Sequence, residues 1–157
     1  NSAASAKAFY TAGIIGNWDV AKQTYKTANI SNCDNTGAVT DNSKYATAVD
    51  HNTAGVVASI NASDPEIGTE GVTKSNINVT NCTNDKAAIT NSASKTKNCV
   101  NGGIVGLLNH YGVIEGCVNS SEDNSSDMVV VDKTNASIQI AMGGIVAMFM
   151  KNAYIHN

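Results

Sequence analysis

The chain contains no arginine, a single proline and two leucines, and charged residues make up only 15% of its 157 positions. Each scarcity removes a class of protein. With no Arg, a net charge of -3 and no basic cluster, there is no electrostatic footprint for nucleic acid. The missing Arg also removes the usual planar partner for sugar carboxylates. Few Leu, Glu and Lys beside abundant Val, Ile and Thr argue for strands over helices. No apolar run approaches the roughly eighteen residues of a membrane-spanning helix, so no membrane insertion is expected. Turns fall instead on 13 Gly and 21 Asn, residues that tolerate positive φ.

The length suffices for one real core, and a single domain over residues 1–157 is expected. The chain starts at Asn1 without an initiator Met, tag or signal peptide, which reads as a processed mature chain or an excised fragment. The polar Asn/Ser/Thr-rich composition suits a secreted or cell-surface location.

What is present is a two-part pattern repeated four times. The first part reads Ala12-Gly13-Ile14-Ile15-Gly16, Ala54-Gly55-Val56-Val57-Ala58, Gly102-Gly103-Ile104-Val105-Gly106 and Gly143-Gly144-Ile145-Val146-Ala147. The second reads Ile30-Ser31-Asn32-Cys33, Val79-Thr80-Asn81-Cys82 and Ile114-Glu115-Gly116-Cys117, with Ile155-His156-Asn157 as a fourth copy. From Gly13, Gly55, Gly103 and Gly144 to the aliphatic residue of the second part the spacings are 17, 24, 11 and 11. The first two units therefore carry polar, turn-like insertions, Asn17 to Ala28 and Asn61 to Asn76. A third solvated segment covers Ser120 to Asp127. Each arc holds a further short strand candidate: Gly37–Thr40, Ala87–Thr90 and Met128–Val131. About three strands per unit close a circuit of 41 to 48 residues.

Recurrence at this period means a stacked repeat architecture. The expected fold is all-β: a right-handed parallel β-solenoid of about four coils, right-handedness being the default for parallel crossovers. A β-sandwich with coincidentally similar strands is the alternative. In the solenoid, Ile14, Val56, Ile104 and Ile145 stack in one interior ladder, and Ile30, Val79, Ile114 and Ile155 in a second, at about 4.8 Å per coil.

Gly-Gly-Ile-Val-Gly followed by Ile-x-Asn-Cys-x-Asn resembles the GLUG-type repeats of bacterial surface proteins, adhesins and some large secreted peptidases. Gly103 to Asn119 carries the likeness best, with Asn29 to Val39 close behind. The resemblance implies a solenoid in which the repeats are accessory and not catalytic. The departures are the insertions and an extra Asn98-Cys99-Val100-Asn101, which leaves the coil register between residues 82 and 103 open.

All four cysteines sit in one context, so a repeated structural slot is expected, with Cys33, Cys82 and Cys117 inward and stacked. Disulfides are the second reading, Cys82 with Cys99 or Cys99 with Cys117. Zinc is the third, without CxxC or HxxxH spacing and with His51, His110 and His156 scattered. No other cofactor is implied. Asn32, Asn81 and the other asparagines flanking cysteine read as corner residues whose amides hydrogen-bond along the stack. Seven Asn-x-Ser/Thr sequons occur, at Asn29, Asn61, Asn78, Asn81, Asn119, Asn124 and Asn135. Asn81, beside a buried cysteine, is expected to be a poor acceptor.

Enzyme chemistry has thin support. Asp64, Glu66 and Glu70 form one acidic group and Glu122, Asp123 and Asp127 another, both in inserted loops and without Ca²⁺-loop spacing. No nucleophile elbow, phosphate loop or dinucleotide fingerprint occurs.

The ends point elsewhere. Ser2 to Phe9 reads as a short Ala-rich capping helix, within a cap over residues 1–11. The C-terminus is apolar, and Phe149, Tyr154 and Ile155 form a candidate self-association edge. The expected function is non-enzymatic: an extracellular structural or adhesive subunit that associates head-to-tail with copies of itself or meets other surface proteins or glycans. An accessory repeat domain of a larger secreted protein is the second reading, and a carbohydrate-active β-helix enzyme the third.

Overall fold

The computed structural model describes residues 8–19, 27–44, 48–61, 76–94, 96–109, 112–120, 130–132, 139–150 and 153–156, and every regular element among them is a strand. The first coil comprises β1 (Ala8–Ala12), β2 (Ile15–Asp19), β3 (Thr27–Ser31), β4 (Asp34–Asn35) and β5 (Val39–Asp41). The second repeats this as β6 (Val49–Ala54), β7 (Val57–Asn61), β8 (Asn76–Thr80), β9 (Thr83–Asp85) and β10 (Ile89–Asn91). The third runs β11 (Thr96–Gly102), β12 (Val105–Asn109), β13 (Gly112–Glu115), β14 (Val118–Ser120) and β15 (Val130–Asp132). A fourth contributes β16 (Gln139–Gly143), β17 (Val146–Met150) and β18 (Ala153–His156).

Each strand pairs only with its counterparts one coil away. Five sheets result, ordered β1-β6-β11-β16, β2-β7-β12-β17, β3-β8-β13-β18, β4-β9-β14 and β5-β10-β15, and every pairing is parallel. The chain is a parallel β-solenoid. Both expected aliphatic ladders form. Ile30, Val79, Ile114 and Ile155 align through the β3 to β18 sheet. Ile14, Val56, Ile104 and Ile145 are linked by N–H to carbonyl bonds of 3.3, 3.1 and 3.0 Å. Ile30, Val56, Val79, Ile104 and Ile114 of these ladders join Ile60, Ile77, Val57, Val105 and Leu108 in one continuous core, with Ile145 packed against it, while Ile14 and Ile155 are exposed.

Gly16 and Gly106, which end the first motif in coils one and three, lie close to neighbouring backbone. A Cβ on Gly16 would lie 3.3 Å from Tyr10 O, and one on Gly106 would overlap Ala58 O and come within 3.3 Å of Thr53 O. In β6, His51, Asn52, Thr53 and Ala54 are buried in succession.

The coil has five strands where about three were expected. Ile-x-Asn-Cys is not one strand. Asn32 (φ 55°), Asn81 (φ 52°) and Gly116 (φ 59°) turn left-handed and break it into β3 then β4, β8 then β9, and β13 then β14. Asn and Gly are the residues that enter this region at low cost. The first two insertions are shorter than read: Asn17 to Asp19 finish β2, Thr27 and Ala28 open β3, and Asn61 and Asn76 belong to β7 and β8. Ser120 likewise closes β14, and residues 20–26, 62–75 and 121–129 lie outside the described residues. The N-terminal helix fails where it can be followed. Ala8 and Phe9 are extended in β1, in register with Asp50 and His51, while residues 1–7 lie outside the described set.

Candidate functional site

The two halves of the repeat meet at one corner, and their meeting explains why both exist. After each left-handed turn comes Cys-x-Asn, and its asparagine, Asn35, Asn84 or Asn119, points inward against the glycine ladder. Asn35 Nδ2 donates to Asn84 Oδ1 (2.6 Å) and to Gly37 O (3.0 Å). Asn84 Nδ2 donates to Asn119 Oδ1 (2.8 Å) and to Ala87 O (2.8 Å). A buried amide costs free energy unless bonded, and here each donor proton pair is spent on the next coil and on the local turn. A Cβ on Gly13 would overlap Gly55 O and the Asn35 amide. Gly55 meets Gly103 O and Asn84 in the same way, and Gly103 meets Gly144 O and Asn119. The glycine is small because the amide lies on it. The expectation covered every asparagine flanking cysteine: Asn32 and Asn81 are corner residues, exposed and left-handed, and the bonding along the stack described here is made by the Cys-x-Asn position.

The thiols stack beside this ladder, Cys82 and Cys117 buried and Cys33 half-buried. With Asp34 paired to Thr83 and Thr83 to Val118, Cys33, Cys82 and Cys117 fall at one level of successive coils. Cys82 Sγ donates to Thr80 O (3.4 Å) and Cys117 Sγ to Glu115 O (3.5 Å), while the Cys82 N–H donates to Cys117 Sγ (3.4 Å). Cys82 Sγ also lies 3.8 Å from Ile30 O of the first coil, and Cys117 Sγ 3.5 Å from Val79 O of the second. Burial, reinforced by the adjacent thiols Cys117 and Cys33, pushes the Cys82 thiol up to about 11. Burial raises Cys117 as well. All four cysteines are free. Cys99 is not in this stack. It sits in β11, in register with His51 and Ile140, so neither disulfide expected with Cys99 joins ladder neighbours.

A second cluster lies where coil one hands over to coil two. His51 Nδ1 and Asp41 Oδ2 are 2.7 Å apart, with His51 wholly buried and Asp41 nearly so. Ser43 Oγ and N–H donate to Asp41 Oδ1 at 2.6 and 3.0 Å, and Phe9 stacks on the imidazole at 5.4 Å. Burial alone would raise the Asp41 carboxyl, but hydrogen bonds from His51 and Ser43 outweigh it and hold the carboxyl below its ordinary range. One coil on, neutral groups fill the same place: Asn91 Nδ2 donates to Asn101 Oδ1 (3.1 Å) and Thr53 Oγ1 (3.0 Å). The signal for this corner was the shared step of two residues from Val39 to Asp41 and from Ile89 to Asn91, each opening a turn in which the side-chain oxygen accepts an N–H two residues on.

Outer faces carry more amide pairs. Asn78 Nδ2 donates to Asn29 Oδ1 (2.9 Å), and Asn109 Nδ2 to Asn61 Oδ1 (3.1 Å). Of the sequons, Asn81 is exposed in spite of its buried neighbour, because the left-handed turn throws it outward, whereas Asn119 is held in the amide ladder. Both acidic loop groups, His110, Asn124 and Asn135 lie outside the described residues, as do the side chains of Tyr154 and His156. Among the described residues no three His, Cys, Asp or Glu side chains converge to hold a metal ion.

The apolar edge is the remaining feature. In the fourth coil Ile140, Met142, Phe149 and Ile155 are exposed, and in the first coil Tyr10 and Ile14. Comparison with family models, curated proteins and solved structures finds no match to the chain.

Proposed function

We propose that this chain is a non-enzymatic extracellular structural or adhesive element, a solenoid segment that stacks head-to-tail on copies of itself. One observation carries the reading: several ladder positions that are wholly buried in coils two and three hold exposed apolar side chains in the outer coils, although Ile30 of coil one stays buried. Phe149 is 56% and Ile155 47% exposed, against 0% for Leu108 and 1% for Ile114 one coil away. Strand edges with apolar side chains in register are costly to leave in water and are templates for strand addition. Stacking coil one of a second copy on coil four would set Trp18 over Phe149 and Ile30 over Ile155, continuing ladders already formed. Because the two ends differ, the contact is heterologous and propagates into open filaments. The arginine-free, Asn/Ser/Thr-rich composition and the GLUG-like repeats support a secreted or cell-surface location. The same ladder ends fit an accessory repeat domain of a larger surface protein, in which further coils of one chain take the place of the second copy.

Negative-stain microscopy and sedimentation over a concentration series test the first reading. The expected result is filaments, or association rising with concentration, abolished by Phe149→Lys with Ile155→Lys. Monodisperse single chains at high concentration would contradict it and leave the accessory-domain reading.

A further inference from the structure

We infer that Cys33 and Cys82 form a reversible oxidation site, in which a disulfide clips the first coil to the second. The register places the two residues one coil apart at a corner outside the regular strands, the Thr83 N–H donates to Cys33 O (2.8 Å), and Cys82 Sγ reaches back to Ile30 O of the Cys33 coil (3.8 Å). Parallel neighbours stand about 4.8 Å apart at Cα, inside the roughly 4.4–6.8 Å that a disulfide spans. The Cβ atoms must close by about 1 Å to bond. Such a bond is strained, and strained disulfides have the more oxidising potentials of labile, reversible links.

Access selects this pair over Cys82–Cys117. Cys33 is half-buried, and its Sγ makes one long contact, to Ser31 O at 3.6 Å. Cys82 and Cys117 are both buried, and Cys117 Sγ is held by two carbonyls, Glu115 O and Val79 O, each at 3.5 Å. Cys99 lies on a different sheet. A small disulfide such as oxidised glutathione reaches only Cys33. The Cys33 thiolate attacks one glutathione sulfur, forms a mixed disulfide and releases one glutathione thiolate. Cys82, deprotonated, then attacks Cys33 Sγ, forms the Cys33–Cys82 bond and expels the second glutathione. Two protein thiols are oxidised and one glutathione disulfide is reduced to two thiols. Because burial keeps the Cys82 thiol protonated at neutral pH, this second step accelerates as the pH rises.

The test is to incubate the folded chain with excess oxidised glutathione at mildly alkaline pH, trap remaining thiols by alkylation, and map peptides without reduction. The expected result is a Cys33–Cys82 linked peptide, with Cys99 and Cys117 alkylated, the link lost on adding dithiothreitol, and a raised unfolding temperature. Cys117→Ser keeps the link and Cys33→Ser removes it. A lasting glutathione adduct on Cys33 without the link, a Cys82–Cys117 link, pairing through Cys99, or four free thiols would each overturn the assignment, and the wild-type map alone decides among them.

Discussion

Leu108 and Phe149 occupy one position of the repeat, as do Val56 and Ile14, and Ile114 and Ile155. In the middle coils these side chains are shut away from water; in the outer coils Ile14, Phe149 and Ile155 are about half exposed. Residue type does not separate the two groups, since all are large and apolar. Position in the stack does. A solenoid coil buries its ladder residues against the coils above and below, so its stability is a sum of nearest-neighbour terms, and an outer coil has one such term fewer.

Paired substitutions at equivalent positions break or sharpen this comparison. The largest contrast is expected at the glycine ladder. Gly55→Ala forces a Cβ into Gly103 O and the Asn84 amide, neither of which can retreat, whereas Gly144 has nothing within 4 Å. Urea unfolding should show Gly55→Ala losing about 3 kcal/mol or more, and Gly144→Ala staying within about 0.5 kcal/mol of the parent. Leu108→Ala should follow, losing about 2–5 kcal/mol by transfer and cavity terms. Phe149→Ala, measured at concentrations where the chain is single, should lose less than about 1 kcal/mol because much of the ring is already in water. Equal losses at the two sites would mean that the outer coil packs against something other than its one neighbour.

The amide ladder gives a smaller contrast. Asn84→Ala strands the Ala87 carbonyl and both flanking amides of the ladder, for about 1–3 kcal/mol. Asn29→Ala, on the outer face with its partner in reach of water, should change stability by under about 0.5 kcal/mol.

The weakest effect sets one coil junction against the next. Asp41 and His51 pair at the first junction, and neutral Asn91, Asn101 and Thr53 fill the second. The Asp41 carboxyl is held low in the fold, so the unfolded chain takes up its proton more readily. Its contribution is complete above the unfolded value of about 3.9 and is lost as pH falls through the lower folded value. Urea midpoints followed downward from pH 6 should fall more steeply in the parent than in Asp41→Asn. Parallel curves would remove Asp41 from the acid response.

The ladders were legible in the chain because each recurs at matched spacing. The circuits of 42, 48 and 41 residues between Gly13, Gly55, Gly103 and Gly144 are the register offsets of Ile15 to Val57, Val57 to Val105 and Val105 to Val146. The stacking of Cys33, Cys82 and Cys117 was legible for the same reason, whereas the choice between free thiols and disulfides was not. What recurred without a distinguishing mark was not separated. Asn32 and Asn35 both flank Cys33, and only the left-handed turn between β3 and β4 decides that one faces water and the other the core. Features without a counterpart in other coils were illegible: His51 aligns with Phe9, Cys99 and Ile140, so no repetition announced its bond to Asp41. The extra Asn98-Cys99 motif misled because it copies the Asn-Cys words in a different strand.

Amide hydrogen exchange read coil by coil, at low and at high protein concentration, tests most directly whether stack position governs burial and association. At low concentration β7, β8, β12 and β13 should exchange slowest and β17 and β18 fast. At high concentration β17, β18 and β2 should slow together as a second copy covers them, while the middle strands stay unchanged. Protection that is uniform across the coils, or that does not respond to concentration at β17 and β18, would contradict the account.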